Sequence, residues 1–473
     1  MLSLSVARDK LGVTILLMAL LALFFVAPEG QAVITVAMWC VVIWFCAKRP
    51  KERLLLLLFQ VTLFTFLMTR LILPDFFHTS YMADDVDGTI RMFDAETLRF
   101  IYTTLALSIF GSYLGFAIIP EQQGDKIQLY DTSTAYVDGV RHISKMLSYV
   151  CALFFAVTIV EKSIFVFNNG YFELYADFES RLPSIIHKLS SLYTPLFMLY
   201  LATFPTKQEA RGALWLYFLI ALLSLTTGSR TAFMLTLVFL LFYFCLRNVV
   251  NPEEPWLSRK AVIAIICVIP LLLAGMFMID FIRAEREMED AGIADMFINF
   301  FYQQGTSAQV IGLTYEMRDV LDDGRIFSFG QIIDNFNKNI IFKIMGTAVE
   351  YRPQTEEMAL YGHSLANTLS NLHMHKSFLT GVGLGSSYIA EVWHDFGFIG
   401  LMLWNMMYGI IFARFFTWAQ KGLWSCAFGL LMIPEIIYSP RGHATAFLYV
   451  FFSITILLVF YMIHVLAKRY MKQ

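Results

Sequence analysis

Apolar stretches long enough to cross a membrane recur along this 473-residue chain from residue 11 to residue 465. A membrane-spanning helix needs about 20 mostly apolar residues to cross about 30 Å of hydrocarbon. Hydrophobic residues make up 58% of the sequence and charged residues only 15%, which excludes an ordinary soluble globule. The sequence therefore predicts an all-α, polytopic integral membrane protein.

Twelve membrane-spanning helices are predicted, with ends placed to within a few residues. They cover about residues 11–27, 31–47, 54–73, 99–119, 143–166, 187–205, 212–227, 231–248, 261–281, 398–415, 423–438 and 444–465. The chain divides into nine spans (1–281), one long loop (282–397), and three spans with a tail (398–473). The loop has few prolines, many aromatic residues and leucines at helical spacing after Ser364, so amphipathic helices are predicted in it.

The distribution of basic residues predicts the orientation of the chain, since short loops rich in lysine and arginine stay cytoplasmic. With the N-terminus inside, basic segments such as residues 48–53 and the C-terminal tail fall on the same side. Both termini are then cytoplasmic, and the long loop lies on the outer face. Most ionisable residues cluster at that outer face, which favours chemistry there over transport through the bilayer.

Neither a metal nor a cofactor is predicted. The six cysteines lie in apolar stretches without the CxxC or Cys/His spacing of a zinc site. His373 and His375 are two residues apart, which on a helix directs them to different faces. The chain lacks a GxxxxGK[ST] loop and a Rossmann fingerprint. An enzyme of this kind needs a substrate that carries its own activation, such as a lipid-linked pyrophosphate sugar.

Two tight outer turns carry arginines. The turn TTGSRT contains Ser229 and Arg230, and the turn YSPRGHAT contains Arg441 and His443. Each arginine is predicted near the N-terminus of the following helix, where free backbone N–H groups and the helix dipole favour an anion such as pyrophosphate. A guanidinium matches phosphate oxygens well, and Arg352 of the long loop is a further candidate. Alternatively, these arginines cap helices or reach lipid head groups.

The stretch GVGLGSSYIAEVWHDFGFIG, residues 381–400, joins the long loop to the next span. Its glycine-rich turn, which includes Gly385 and Ser386, resembles the backbone nests that hold anions ahead of a helix. Three ionisable residues follow at spacings that place them on one helix face, where one of them would act as a general base: Glu391, His394 and Asp395. Which of the three is the base stays open at this point.

Several of these pieces occur together in a known family. They are Gly228-Ser229-Arg230 in a middle turn, residues 381–391 reading GxGxGSSxIAE, Phe396-Gly397 with Gly400, and Pro440-Arg441-Gly442 before the last span. This arrangement resembles the O-antigen polysaccharide polymerase (Wzy) family of oligosaccharide repeat-unit polymerases. The enterobacterial common antigen polymerase has a similar layout, so the resemblance leaves open which surface polysaccharide is made.

The resemblance implies a membrane glycosyltransferase of GT-C-like architecture in the bacterial inner membrane. It would move a growing glycan from undecaprenyl pyrophosphate onto the non-reducing end of a new lipid-linked unit, without metal, cofactor or nucleotide. A chain-length regulator of the Wzz type is the expected protein partner, and nucleic acid is not. The roles inferred from the residues fit this scheme. Pyrophosphate binding falls to Arg230, Arg441 and Arg352, and substrate contact to Ser229, Gly385, Ser386 and His443, although the resemblance carries no expectation for His443.

Two other functions are compatible with this reading. An O-antigen ligase uses the same lipid-linked donor on the same face, but the GSSxIAE ending of the loop favours a polymerase. A lipid-linked oligosaccharide flippase belongs to another class and would carry polar residues near the middle of the bilayer, on broken helices.

Overall fold

The computed structural model describes residues 2–76, 93–120, 130–251, 253–258, 293–321, 324–337 and 351–470, together with residues 260, 263, 345, 346 and 349. The described residues are mainly helical, as the sequence predicts. The helices are α1 (Leu2–Val26), α2 (Gln31–Lys48), α3 (Leu54–Leu63), α4 (Thr69–Phe76), α5 (Ala95–Ile118), α6 (Ala135–Asn169), α7 (Glu173–Ala176), α8 (Ser184–Ser191), α9 (Tyr193–Ala202), α10 (Lys207–Ser224), α11 (Thr231–Val250), α12 (Ile293–Gln304), α13 (Ser307–Glu316), α14 (Gly330–Asn337), α15 (Glu356–Tyr361), α16 (Leu365–Leu379), α17 (Tyr388–Gln420), α18 (Leu423–Tyr438), α19 (Tyr449–Phe452) and α20 (Ile454–Tyr470).

Several helices of the structure are suited to span a membrane. Within the described ranges, nine helical segments are long and apolar enough to cross a membrane, and a pair bent by 58° between Ala446 and Arg469 makes a tenth. The predicted span 187–205 is instead two short helices, α8 and α9, which meet at Leu192. The predicted span 261–281 lies almost entirely outside the described residues. The chain is thus an all-α polytopic membrane protein, and the count of twelve spans is not confirmed.

The chain forms two compact units. The first comprises Met1–Gly124, Gly292–Phe415 and Glu435–Ala446, and the second comprises Asp125–Ala291, Phe416–Pro434 and Phe447–Gln473.

In the first unit, α5 lies directly against α17. A methyl group at Gly115 would come within 2.0 Å of the carbonyl oxygen of Met406, and one at Gly409 within 2.1 Å of the carbonyl oxygen of Ser112. Small residues let two membrane helices approach this closely, so that packing and polar contacts hold them together. Asn405 supplies such contacts, because its amide donates to Ser108 Oγ at 3.2 Å and its Oδ1 accepts from the hydroxyl of Tyr388 at 2.7 Å.

The long loop contains helices, as its leucine spacing predicts. Ser364 caps α16 by accepting from the backbone N–H of Asn367, and Leu365 and Leu369 are fully buried beneath it. The helix that follows the loop begins at Tyr388, ten residues before the predicted span at 398. It is broken at Gly397, whose φ of 64° and ψ of −164° are not helical. The segment from Tyr388 to Phe396 is therefore a separate helical piece ahead of the span.

In the second unit, backbone carbonyls at the end of α9 accept from side chains of other helices. The hydroxyl of Tyr243 on α11 donates to the carbonyl of Leu201 at 3.0 Å, and Arg141 on α6 donates to the carbonyl of Thr203 at 3.0 Å. Thr206 and Glu209 form a reciprocal capping box that starts α10. Carbonyls left open at the end of a helix are in this way satisfied by neighbours.

Candidate functional site

The helical piece that begins at Tyr388 emerges from the glycine-rich turn of residues 381–387. Gly385 has a φ of 78°, a left-handed conformation that residues with a Cβ rarely adopt, although a methyl group added there would meet no atom within 4 Å. This conformation lets the chain turn into the helix, so that Ser386 Oγ reaches forward and donates to Glu391 Oε1 at 2.6 Å. Gly385 and Ser386, both predicted substrate contacts, thus support the placement of Glu391.

Glu391 is fully buried, and its carboxylate accepts three hydrogen bonds. Besides Ser386, Nδ1 of His443 donates to Oε1 at 2.7 Å, and the backbone N–H of Ala444 donates to Oε2 at 2.8 Å. A buried carboxylate is costly unless charged or hydrogen-bonding partners compensate it. These three donors meet that requirement, and they attach the turn after α18 to the start of α17.

His443 is the exposed member of this pair. Its side chain retains 28% exposure, whereas that of Glu391 retains none. Since Nδ1 is bound to the carboxylate, Nε2 is the nitrogen that remains for a ligand. Burial on its own lowers the pKa of His443, but the Glu391 carboxylate, assisted by the charges of Glu435 and Asp334, raises the pKa above its ordinary value.

Asp395 lies one helical turn beyond Glu391 and binds a different loop. Its Oδ2 accepts from the backbone N–H of Ser328 at 2.7 Å and from the Ser328 hydroxyl at 2.5 Å, and its Oδ1 accepts from the N–H of Phe327 at 3.2 Å. His394 Nδ1 lies 3.0 Å from Oδ1, and the side chains of both residues are almost completely buried. The hydroxyl of Thr445 donates to the carbonyl of Ser328 at 2.7 Å. The loops held by Glu391 and Asp395 are therefore joined to each other.

Arg441 shares the turn with His443. Its Nη1 donates to the carbonyl and the side-chain oxygen of Gln304, at 3.2 and 3.0 Å. Among the residues that the structure describes, Nε and Nη2 have no hydrogen-bond partner. The expectation that Arg441 lies near the N-terminus of the following helix is wrong, because Ser439–Arg441 is a 3-10 turn after α18 and the next α-helix begins at Tyr449. Arg441 therefore does not stand at the N-terminus of an α-helix.

The other predicted anion ligands lie elsewhere in the chain. Arg230 precedes α11 directly, as the sequence predicts, and its backbone occupies the N-cap position. Ser229 adjoins it after the left-handed Gly228, and the Ser229 N–H points to Thr227 Oγ1 at 3.4 Å. Both residues belong to the second unit. Arg352 is exposed on the loop ahead of α15, where its carbonyl accepts from the Thr355 hydroxyl at 2.8 Å.

Some residues at this site were not found from the sequence. Gln304 positions Arg441 from 137 positions away in the chain, and Ser328 joins Asp395 from 67 positions away. No local pattern marks such contacts. The pairing of Glu391 with His443 likewise does not follow from the sequence, in which the two residues belong to separate motifs.

Comparison with known proteins identifies the family. No curated protein and no solved structure matches the chain. The sequence profile of the family described as O-antigen polysaccharide polymerase Wzy matches residues 11–473, essentially the whole chain. The chain therefore belongs to the O-antigen polysaccharide polymerase Wzy family.

Proposed function

We propose that this protein polymerises undecaprenyl-pyrophosphate-linked oligosaccharide repeat units at the periplasmic face of the bacterial inner membrane. The growing glycan would be transferred to the non-reducing end of a new lipid-linked unit. Membership of the polymerase family supports a polysaccharide polymerase role. The observation that carries the mechanism is one turn in which a partly exposed imidazole, backed by a buried carboxylate, lies two residues from an arginine.

In the proposed reaction, His443 acts as the general base. Its Nε2 takes the proton from the acceptor hydroxyl as the acceptor oxygen forms a bond to the anomeric carbon of the donor. The bond between that carbon and the pyrophosphate oxygen breaks, and its electron pair leaves with undecaprenyl pyrophosphate. No oxidant or further reactant is needed, because the pyrophosphate linkage supplies the activation.

The buried carboxylate of Glu391 acts through His443 rather than on the substrate. It fixes the tautomer with the proton on Nδ1, orients the ring and stabilises the imidazolium that forms on proton transfer. Asp395 is less suited to the role of base, since its two oxygens already accept from three protein donors in the loop at 327–328. Of the sequence candidates, Glu391 and Asp395 therefore become positioning residues in this proposal.

Arg441 is proposed to stabilise the leaving pyrophosphate. Gln304 holds one of its terminal nitrogens, which leaves Nε and Nη2 for oxygens that gain negative charge as the bond breaks. A guanidinium stays charged throughout the physiological pH range. A side chain fixed in this way needs little reorganisation during the reaction, and no metal ion is required in the proposal.

The remaining assignments stay predictions from the sequence. They are pyrophosphate binding by Arg230 and Arg352, substrate binding by Ser229, cytoplasmic chain termini, and a chain-length regulator of the Wzz type as partner. Substitution and topology mapping test each of them independently of His443.

The direct test is incubation of the purified protein with synthetic lipid-linked repeat units, with product length read on a gel. We expect wild-type protein to give a ladder, and His443→Gln, Glu391→Gln and Arg441→Ala to leave single units at unchanged protein levels. Loss of all surface glycan in cells, single-unit product included, would identify a ligase instead. Movement of labelled lipid across liposomes without lengthening would identify a flippase.

A further inference from the structure

A second histidine–carboxylate pair lies in the long loop. Nδ1 of His363 is 2.9 Å from Oδ1 of Asp334, and the backbone N–H of His363 donates to Oδ2 of the same carboxylate at 3.2 Å. About a quarter of each side chain remains exposed. Unlike Glu391, Asp334 is thus reachable from outside. The reaction proposed above uses neither residue.

The chain path connects this pair to the turn that carries His443. The hydroxyl of Thr445 binds the carbonyl of Ser328, two residues before α14 begins at Gly330. A methyl group on Gly330 would meet the carbonyl oxygen of His363 at 1.8 Å, so α14 starts in direct contact with the His363 backbone. Asp334 lies one helical turn further, about 6 Å along the axis. Its charge is among those that act on His443.

The segment that carries His363 is held from two sides. Arg325 donates to the carbonyl oxygens of Ala359 and Gly362, at 2.9 and 3.1 Å. The hydroxyl of Thr368 also donates to the carbonyl of Ala359, at 2.9 Å. A polar pair on a backbone fixed in this way keeps its geometry without a ligand, which lowers the entropy that binding would cost.

Exposed aromatic residues lie two positions from each member of the pair in the sequence. Tyr361, two residues before His363, is 63% exposed and lies 6.2 Å from Tyr351, ring centre to ring centre. Phe336, two residues after Asp334 on α14, is 50% exposed but projects from a different face of that helix. The surrounding loop is rich in acidic residues. An exposed ring two residues from an exposed acceptor and donor suits a neutral ligand with an apolar C–H face and a rim of hydroxyl groups.

We propose that Asp334, His363 and Tyr361 form a subsite for a sugar ring of the incoming repeat unit, beside the base His443. Asp334 accepts from a ring hydroxyl, Nε2 of His363 binds a neighbouring hydroxyl, and Tyr361 covers the C–H face. This subsite rests on the proposed polymerase function, because it assumes that the acceptor glycan reaches His443. Its ligand class is a pyranose of the repeat unit, with the lipid and the pyrophosphate held elsewhere.

The test uses the full-length protein in lipid nanodiscs and, as probe, the single repeat-unit oligosaccharide released from its lipid. His363→Asn keeps a donor where Nδ1 contacts Asp334 but removes Nε2, so it separates binding from loop structure. We expect His363→Asn and Tyr361→Ala each to weaken binding of the probe about tenfold, with the acceptor KM rising by a similar factor and kcat nearly unchanged. Unfolding temperatures should stay close to the wild-type value.

Matched controls are available in the same chain. His375 contacts Glu356 at 3.3 Å as a second exposed pair of the long loop, and Tyr175 is 40% exposed next to Tyr171 in the second unit. His375→Ala and Tyr175→Ala should bind the probe like the wild type. Wild-type affinity in His363→Asn and Tyr361→Ala, or equal losses in the controls, would overturn the subsite.

The outcomes also separate the subsite from the proposed function. If the wild-type protein binds the probe through His363 but never lengthens lipid-linked units, the subsite stands and the polymerase mechanism fails. If both variants lengthen glycans with the wild-type acceptor KM, the mechanism stands and the subsite fails.

Discussion

Oε1 of Glu391 lies 2.7 Å from Nδ1 of His443, a contact that joins the first helical piece of α17 to the turn after α18 across 52 positions of the chain. The carboxylate is fully buried and the imidazole is not. A buried acceptor behind an exposed imidazole directs the second ring nitrogen outward, in the arrangement by which enzymes hold a histidine base.

The pH dependence of the reaction should report the titration of His443. An imidazolium cannot accept a proton, so kcat/KM should fall as the pH drops through the pKa of His443, which Glu391, Glu435 and Asp334 raise above the ordinary value for histidine. In Glu391→Gln the effect of burial remains and lowers the pKa, so the acid limb of the residual activity should move to lower pH. An unmoved limb would show that another group titrates.

The same pair should make stability depend on pH. Because the pKa of His443 is raised on folding, its stabilising contribution is full below the unfolded value of about 6.5 and is lost as the pH rises through the folded value. The difference in unfolding temperature between the wild type and His443→Gln should therefore be larger at about pH 5.5, below the range in which histidine titrates, than at about pH 9, above it. A difference that grows with pH would contradict the ion pair.

Asp395 should matter for stability more than for chemistry. Asp395→Ala leaves the buried N–H groups of Phe327 and Ser328 without their acceptor, which should cost about 2 to 4 kcal/mol of unfolding free energy. Asp395→Asn keeps one acceptor oxygen and should cost less. The measurement is denaturant or thermal unfolding together with the rate of the fraction that stays folded. A hundredfold loss of rate at unchanged stability would make Asp395 a catalytic residue.

Gly397 should be needed for the break in α17. Its backbone, at φ 64° and ψ −164°, lies in a region almost confined to glycine, so Gly397→Ala should cost of order 1–3 kcal/mol or straighten the helix. Gly12 in α1 is the matched control, because its backbone is helical and a methyl group added there would meet no neighbouring side chain or helix within 4 Å. Gly12→Ala should keep or slightly raise stability, because alanine favours a helix more than glycine does. Equal behaviour of the two variants would argue that the break is not fixed by Gly397.

Local pattern predicted much of the fold. Long apolar stretches identify spans because a helix in lipid satisfies its own backbone, and Ser364 marks the start of α16 because a serine hydroxyl accepts from a free N–H. Composition alone does not reveal breaks. Leu192, between α8 and α9, lies inside the predicted span 187–205, and hydropathy there hides the break that Pro195 marks in the first turn of α9. Gly397 belongs to a recognisable motif, but the motif does not predict its positive φ.

The candidate site was predictable residue by residue but not as an arrangement. Helical spacing correctly places Glu391 and Asp395 on one face of a helix. It does not reveal that each carboxylate binds a different distant loop, nor that the base candidate His443 comes from the turn after α18. Asp334 and His363 lie 29 positions apart, and neither belongs to a recognisable motif. Such contacts depend on how helices pack, which local periodicity leaves undetermined.

The most direct test compares two histidines in the same single-turnover assay with synthetic lipid-linked donor and acceptor. His443→Gln should lower the rate of glycan transfer by about 100-fold or more, the usual contribution of a general base, while leaving unfolding at pH 9 close to the wild type. His394→Gln, beside the loop-binding Asp395, should keep a rate within a few-fold of the wild type. Transfer at the wild-type rate in His443→Gln would contradict the assignment of His443 as the base.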